Sequence, residues 1–272
     1  MYSSSILKPG LAMAENKLRE LVEDGATSVG TRVLNYWPGV FEVLGQTEEY
    51  DYVEFSAEYA PWDLHDLENI VRAAELVDLS SMIKIDGHNR SFIAQRAMAA
   101  GFQNLLFADV RDVDDARECV NAVRPEPNGE NGIRMDRRNG YVGGYNSPEE
   151  VVGICNDAVI AIMVEKESCV DDLEEILSID EIDMVQFGPA DYSVSIDKPS
   201  GRDSSEVVEA EEKTIETALD MGVRPRAEIS HPEEADWYVE RGVSDFNLNL
   251  DIRILYQWWS DNGSDLREQL DG

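Results

Sequence analysis

Short apolar runs alternate with longer amphipathic stretches along the chain. Residues 158–165, AVIAIMVE, are almost wholly apolar, which is typical of a parallel strand buried on both faces. Residues 63–77 repeat apolar side chains every three or four positions behind an aspartate, the pattern of a capped amphipathic helix. The pattern predicts strands over 28–35, 51–58, 80–86, 103–110, 158–165, 183–188, 223–230 and 245–250, and helices over 15–24, 37–46, 63–77, 91–101, 112–123, 168–178, 204–222 and 232–242.

These segments make about eight consecutive strand–helix units. Eight parallel strands joined by helical crossovers, in one domain of roughly 250 residues, favour a (β/α)8 or TIM barrel. A doubly wound open sheet is the competing fold, but the glycine-rich first strand–helix turn that binds dinucleotides is missing. No Gly/Ser or Pro linker divides the chain, so we predict a single barrel domain over residues 1–272.

Two segments interrupt this rhythm. Residues 124–147 are rich in Gly, Asn and Arg, and so long a loop in a compact domain is either functional or a tolerated surface insertion. Residues 252–259, IRILYQWW, are too apolar for a solvated tail. We expect 252–272 to form a C-terminal helix and an acidic tail.

The charge balance excludes several classes of partner. The chain carries 56 acidic and 23 basic residues, a formal net charge of −33, and only six of the basic residues are Lys. Such a surface binds neither nucleic acid nor an anionic membrane, since both need basic groups. An excess of acidic residues with few Lys predicts a halophilic protein, as from a salt-adapted archaeon. Molar salt shortens the Debye length to about 3 Å and so screens the repulsion among the acidic side chains. An ordinary acidic cytosolic protein is the alternative.

The cysteines and the apolar runs indicate the compartment. Three Cys without a C-x-x-C pair argue against both a disulfide framework and a structural zinc site. No apolar run reaches the roughly 18 residues of a membrane span, and no signal-peptide pattern opens the sequence. We therefore expect a cytoplasmic protein.

Barrel active sites lie where the strands end, and two carboxylates follow neighbouring predicted strands. Glu165 ends the most apolar strand, and Asp191 follows the next strand through a Gly-Pro turn. Adjacent strands lie about 4.8 Å apart, so these two side chains can share a divalent cation with water and a chelating substrate. Capping of the following helices is an equally simple interpretation of both residues.

Two further polar residues end predicted strands. Lys84 can bind a carboxylate, form a Schiff base, or make a salt bridge at the rim. Tyr59 can exchange a proton with the substrate or serve only as a structural residue.

Four stretches of the sequence together resemble a known enzyme family. They are NKLRELVEDGATSVGT, DYVEFSAEYAPWDLHDLENIVRAA, AQRAMAAGFQNLLFADVRDVDDARECVNAVRPEPNG and, the most specific, IMVEKESCVDDLEEILSIDEIDMVQFGPADYSVSI. They resemble the HpcH/HpaI aldolase/citrate lyase family, which consists of metal-dependent class II aldolases that act on pyruvate-like enolates in a (β/α)8 barrel.

The resemblance implies roles for several residues. Glu165 and Asp191 would hold Mg²⁺ or Mn²⁺, and Glu58 would orient a water on that ion. The stretch Gly188, Pro189, Ala190 and Asp191 would hold the substrate carboxylate through backbone amides. Family members are homo-oligomers that partly exchange their last helix, so a trimer or hexamer is expected. The apolar segment 252–259 fits such an exchange, and packing on its own barrel is an equal alternative.

The chain departs from the family at four positions. Tyr59 stands where the family has a His, and Ser56 replaces the Asp that pairs with that His, so the usual proton-handling dyad is absent. Lys84 replaces a substrate-binding Arg and loses its planar fork. Met163 replaces a Gln two residues before Glu165.

The resemblance therefore implies a carbon–carbon lyase with altered acid/base residues. It would cleave a 2-oxo-3-deoxy or 4-hydroxy-2-oxo acid to pyruvate, or a similar 2-oxo acid, and an aldehyde. Tyr59 would handle the proton, and Lys84 would bind the substrate carboxylate or the enolate oxygen. The alternatives are other enolate chemistry, such as decarboxylation or carboligation, and a non-catalytic protein that binds a 2-oxo acid.

Overall fold

Eight parallel strands form a closed barrel in the order of the chain. The computed structural model describes residues 15–133, 136–141, 147–199, 201 and 203–271. Each strand pairs with the next, and the last pairs with the first, so the predicted (β/α)8 barrel is confirmed. The strands are β1 (Ser28–Val33), β2 (Tyr52–Ser56), β3 (Ser80–Ile85), β4 (Asn104–Phe107), β5 (Ile160–Val164), β6 (Met184–Phe187), β7 (Arg224–Ile229) and β8 (Asp245–Leu250).

Helices surround the barrel and connect successive strands. The helices are α1 (Lys17–Glu23), α2 (Pro38–Gly45), α3 (Leu64–Leu76), α4 (Arg90–Ala100), α5 (Val113–Val123), α6 (Pro148–Asn156), α7 (Glu167–Asp171), α8 (Leu173–Leu177), α9 (Pro189–Ser195), α10 (Ser205–Asp220), α11 (Ala235–Val239) and α12 (Asp251–Asp271), with a 3₁₀ turn at Pro232–Glu234 before α11. The N-cap predicted for α3 is confirmed, because Asp63 accepts backbone N–H groups in a capping box.

The helix pattern differs from the prediction at four places, one of which is the segment 232–242, where a 3₁₀ turn precedes the short helix α11. The helix predicted over 168–178 is two short helices, α7 and α8, which meet at Asp172. Helices α6 and α9 were not predicted, although α6 opens on a capping box between Ser147 and Glu150. Because α9 begins at Pro189, directly after β6, the Gly-Pro turn places Asp191 in the first turn of a helix.

The buried apolar residues of the described chain form three clusters, the smallest of which joins Ile215 on α10 to Ala227 on β7 and Phe246 on β8. Between the strands and helices lies a large apolar layer that includes Phe41, Phe55 and Phe107. Inside the barrel lies a smaller apolar cluster, which includes Tyr52, Met82, Leu106, Met163 and Met184. Gly30 is required beside this cluster, because a Cβ atom at that position would lie 2.2 Å from the ring of Tyr52.

The described part of the 124–147 loop binds the amino-terminal end of the barrel. Arg138 donates hydrogen bonds to the carbonyl oxygens of Phe102 and Ile154, at 2.6 and 2.9 Å. Arg124 donates to the carbonyl oxygen of Ala158 at 2.9 Å, just before β5. The loop therefore joins α4, α6 and the strand starts, which favours a structural role within its own chain.

Helix α12 extends away from the barrel. Its Asp251 carboxylate accepts the backbone N–H groups of Leu34 and Asn35, which attaches the first turn to the end of β1. Its apolar side chains, which include Leu255, Trp258 and Trp259, are exposed. One helix continues to Asp271, so the C-terminal segment is helical over its described length. Whether it packs on its own barrel or on a second copy stays a prediction.

In the part of the chain that is described, no helix has the length and apolar character needed to cross a membrane.

Candidate active site

One cavity of about 230 Å³ opens at the carboxyl ends of the strands. Tyr59, Lys84, Glu165 and the turn from Gly188 to Asp191 line it, so the fold brings together nearly all residues predicted from the sequence. Glu58 stands behind Lys84 and contacts its ammonium group. These residues come from β2, β3, β5 and β6, as expected for a barrel site.

Glu165 is a buried carboxylate at the end of β5. Only 3% of the residue is exposed, and its Oε1 atom accepts the backbone N–H of Asp109 at 2.8 Å. Burial raises the pKa of Glu165, and the nearby negative charge of Asp191 adds to this effect, despite the opposing influence of the Asp109 hydrogen bond and of two lysines. A buried carboxylate that is only partly compensated favours a bound cation.

Gly188 lets the chain pass close to this carboxylate. A Cβ atom on Gly188 would lie 2.8 Å from the Cβ and 2.9 Å from the Oε2 of Glu165. Any larger residue would therefore push Glu165 out of place.

The two carboxylates suit an oxygen-preferring divalent ion. Neither one caps a helix, because α7 is capped at Lys166 and α9 at Gly188, so the capping interpretation is wrong. Asp191 is exposed and makes no ion pair with any described residue. No group of three or more His, Cys, Asp or Glu side chains that could hold a metal occurs within the described ranges. Two carboxylates, with water and substrate oxygens, are the usual Mg²⁺ set.

Lys84 is a buried ammonium group that faces these carboxylates. Its side chain is 4% exposed, and its Nζ lies 2.7 Å from Oε2 of Glu58. Burial alone would lower the pKa of Lys84, but Glu58 and the neighbouring groups more than offset this, so the pKa is raised. Schiff-base chemistry needs a neutral amine, so this geometry disfavours that alternative. Because the Lys84 side of the pair is buried, this is also not an exposed rim salt bridge.

Tyr59 lies at the mouth, beside Lys84. Its ring centroid is 5.3 Å from Nζ of Lys84, and 57% of the residue is exposed. Partial burial raises the pKa of Tyr59 to about 12; the positive charge of Lys84 opposes this, while Glu58 and Asp191 reinforce it. At neutral pH the hydroxyl is protonated, so the geometry supports a proton donor and disfavours an acceptor.

Several residues at the site had no role in the sequence prediction. Lys166 binds Asp109, with 2.8 Å between Nζ and Oδ1, and Asp109 adopts a left-handed φ of 57°. This ion pair holds the loop whose N–H binds Glu165. Arg226, Gln186 and Arg32 also line the cavity. The alternation of Arg224, Arg226 and Glu228 along β7 is a local signal for such inward polar residues.

Known proteins resemble this chain in sequence and fold. It is 28% identical over 209 residues to a 2-keto-3-deoxy-L-rhamnonate aldolase of Escherichia coli O17:K52:H18 (strain UMN026 / ExPEC), a match that covers 76% of this chain and 75% of that protein. The HpcH/HpaI aldolase from Desulfitobacterium hafniense DCB-2 has the same fold, with 24% identity, a TM-score of 0.85, and coverage of 92% and 96%. The citrate synthase SbnG also shares it, with 19% identity, a TM-score of 0.85, and coverage of 95% and 100%.

The HpcH/HpaI aldolase/citrate lyase profile matches residues 43–240. This range is most of the chain and contains β2 to β7 together with every site residue predicted from the sequence. The chain therefore belongs to the HpcH/HpaI aldolase/citrate lyase family.

Proposed function

We propose that the protein is a divalent-cation-dependent aldolase. It would cleave a 2-oxo-3-deoxy or 4-hydroxy-2-oxo acid into pyruvate, or a near relative, and an aldehyde. One observation carries the proposal: at a barrel mouth, the buried carboxylate of Glu165 and the nearby Asp191 share a cavity with the buried ammonium group of Lys84. The membership of the family and the aldolase relative support it.

Glu165 and Asp191 would hold Mg²⁺ or Mn²⁺. When bound, such an ion acts as a Lewis acid that polarises the 2-oxo group and stabilises negative charge on its oxygen. The fit rests on the chemistry of the donors, since both are hard carboxylate oxygens and one is buried with its charge only partly compensated.

Lys84 and the β6–α9 turn would orient the substrate. An ammonium group has three N–H donors, so Lys84 can bind Glu58 and still donate to the substrate carboxylate or enolate oxygen. Ala190 and Asp191 present backbone N–H groups in the first turn of α9, whereas Pro189 has none and shapes the turn. Glu58 keeps Lys84 in place, and the water-orienting role predicted for it remains a prediction.

Tyr59 would supply the proton that completes pyruvate. Cleavage breaks the C3–C4 bond; its electron pair forms the enolate, and the 4-hydroxyl loses its proton as the aldehyde forms. Tyr59 would protonate C3, and the positive charge of Lys84 would stabilise the resulting phenolate. Because Tyr59 is largely exposed, solvent can carry the proton released from the hydroxyl and restore the phenol.

A second group of functions follows from the residues that replace the family dyad. With Tyr59 and Ser56 in those positions, the same site could serve another enolate reaction, such as decarboxylation or carboligation, or could bind a 2-oxo acid without turnover. The aldolase is the stronger proposal, because the ammonium and both carboxylates are arranged around one cavity.

Proton exchange on pyruvate tests the proposal. The full chain is incubated with Mg²⁺ and pyruvate in heavy water at high salt, and the methyl proton signal is followed by NMR. We expect the signal to decay with the wild type and to persist with Glu165→Gln, while Glu167→Gln, a change just outside the site, exchanges like the wild type. Decay without aldehyde-dependent condensation would favour the other enolate reactions, and no decay with any short 2-oxo acid would favour the binder.

We also propose that the protein is a cytoplasmic, salt-adapted homo-oligomer, a trimer or hexamer in which α12 packs against a second copy. The exposed apolar side chains of α12, including Leu255 and Trp259, support this assembly. Sedimentation at high salt should show a multimer for the wild type and a smaller species for Leu255→Asp with Trp259→Asp. Gln257→Glu, on the same helix, should leave the multimer intact; a monomeric wild type would refute the assembly.

A further inference from the structure

The barrel interior below the mouth carries charged side chains where barrels usually pack branched apolar ones. Arg226 on β7 is fully buried and ion-paired with the equally buried Glu54 on β2. Its Nε donates to the Tyr52 hydroxyl at 2.8 Å. A second pair joins Arg32 to Glu228 through two contacts of 2.8 and 2.9 Å. Burying ion pairs rarely adds stability, so this layer is a candidate for function.

Several buried polar atoms in and around this layer have no hydrogen-bond partner among the described residues, and three of them belong to side chains that line the cavity. Arg226 Nη1, Arg32 Nε and Gln186 Oε1 are buried and have no hydrogen-bond partner among the described residues. Their side chains line the same cavity as Glu165 and Lys84. A buried donor or acceptor without a partner is unfavourable, so groups of a ligand that enters the cavity would be expected to bind these atoms.

The chemistry of the unmatched atoms favours hydroxyl groups. Each arginine is already paired with a glutamate, so the layer has little net charge to attract an anion. The free atoms on the cavity-lining side chains are two donors and one acceptor, and a hydroxyl can satisfy both kinds, whereas a carboxylate only accepts. A second carboxylate would also face the charges of Glu228 and Glu54. An apolar chain would leave all three atoms unpaired.

We propose that Gln186, Arg226 and Arg32 form a second subsite, which binds hydroxyl groups on the part of the substrate released as the aldehyde. The inference rests on the proposed function, because the Glu165–Asp191 side of the cavity would hold the 2-oxo acid end of the same molecule. The subsite selects a polyhydroxylated chain over a deoxygenated one. A chain without hydroxyl groups leaves the buried polar atoms of the subsite without hydrogen-bond partners, which lowers its affinity.

Binding of ligands that cannot be cleaved tests this subsite without turnover. A 2-oxo acid of six carbons with hydroxyls at C5 and C6, but none at C4, cannot undergo retro-aldol cleavage. Its affinity for the full chain with Mg²⁺ at high salt is compared by calorimetry with those of 2-oxohexanoate and 2-oxoadipate. We expect the dihydroxy acid to bind about 10-fold more tightly than 2-oxohexanoate, in keeping with the loss of matched hydrogen bonds, and more tightly than 2-oxoadipate.

A variant links the preference to the subsite. Gln186→Leu removes the free acceptor with little change of volume and should reduce the preference to less than about threefold, as expected when one matched partner is lost. Gln257→Leu, an exposed position on α12, is the matched control and should retain it. Circular dichroism verifies that each variant is folded, and the wild-type comparison stands by itself if Gln186→Leu is not.

Two results would overturn the subsite: equal affinities in the wild type, or a preference that survives in folded Gln186→Leu. Tighter binding of 2-oxoadipate would show that the layer binds an anion instead. Loss of pyruvate exchange with an intact hydroxyl preference would refute the proposed reaction and leave the subsite standing, so the two failures are distinguishable.

Discussion

A lysine replaces the usual family arginine at position 84, and its pairing with Glu58 makes the consequences testable. Lys84→Met would leave the partly buried Glu58 carboxylate without its partner, at a cost of about 3 kcal/mol, and would remove the cation that faces the substrate. Lys84→Arg restores a cation of similar length. We expect the rate of pyruvate exchange to fall at least about 100-fold in Lys84→Met. In Lys84→Arg the rate should stay within about 10-fold of the wild-type rate.

The pH dependence separates Lys84 from other groups. A lysine whose folded-state pKa is raised contributes stability that is fully present below its unfolded pKa and is lost only as pH rises through the folded value. The exchange rate should therefore show no loss from lysine deprotonation between about pH 6 and 9, below the ordinary lysine pKa. A drop in that window that disappears in Lys84→Arg would contradict a permanently charged Lys84.

The ionised Glu165 carboxylate should lower the stability of the metal-free fold while it provides a ligand for the ion. Because burial raises its folded-state pKa, ionisation weakens the metal-free fold, and this penalty appears as pH rises above the unfolded pKa and is complete above the folded one. Glu165→Gln keeps the acceptor for the Asp109 N–H and removes the charge. At neutral pH without metal, we expect the variant to be more stable by about 1 kcal/mol in denaturant titrations. Mg²⁺ should raise the melting temperature of the wild type only.

Single residues differ in how well their place in the structure can be predicted from the sequence. The placement of Glu165 and Asp191 at the mouth was predictable, because Glu165 comes directly after an apolar strand and Asp191 follows the next strand through a Gly-Pro turn. The Arg226–Glu54 pair was not, because it joins residues 172 positions apart across the barrel. Nothing local distinguishes an inward arginine that meets a glutamate from one that faces solvent.

At the scale of elements, the junction of β6 and α9 determines the geometry of the site. Gly188→Ala would place a methyl group about 3 Å from Glu165, which is closer than ordinary contact allows. We expect the barrel to fold, with a loss of about 1–3 kcal/mol, and pyruvate exchange to fall to the level of Glu165→Gln. Gly153→Ala, a helical glycine with open space around its Cβ position, is the control. Normal exchange in Gly188→Ala would show that Glu165 can move without consequence.

Element order was predictable because apolar periodicity is local, and all eight strands lie within their predicted segments. Helix ends were less so. The 168–178 segment has continuous helical periodicity, yet it breaks at Asp172, where the short crossover from β5 to β6 turns. The extension of α12 could not be decided from composition either, since an apolar helix face packs equally well on its own barrel or on a partner.

For the whole molecule, we expect the net charge of −33 to determine how the stability of the fold depends on salt, rather than to take part in the reaction. Few of the acidic groups lie at the mouth, and the rest repel one another on the surface, so salt should stabilise the fold by screening. We expect the melting temperature to rise steadily between about 0.1 and 3 M KCl, over which range the Debye length falls from about 10 Å to below 3 Å. Sucrose of equal osmolality should not reproduce the rise if screening is its cause.

A charge variant separates screening from a general salt effect on apolar burial. Glu209→Lys with Glu216→Lys changes two exposed positions on α10 and lowers the net negative charge without touching the core. This variant should reach any given melting temperature at a lower KCl concentration than the wild type, because less repulsion has to be screened. Equal salt dependence in both proteins would mean that salt acts through apolar burial. If repulsion governs the fold, assays in dilute buffer would measure an unfolded chain, and only activity at high salt would report on the site.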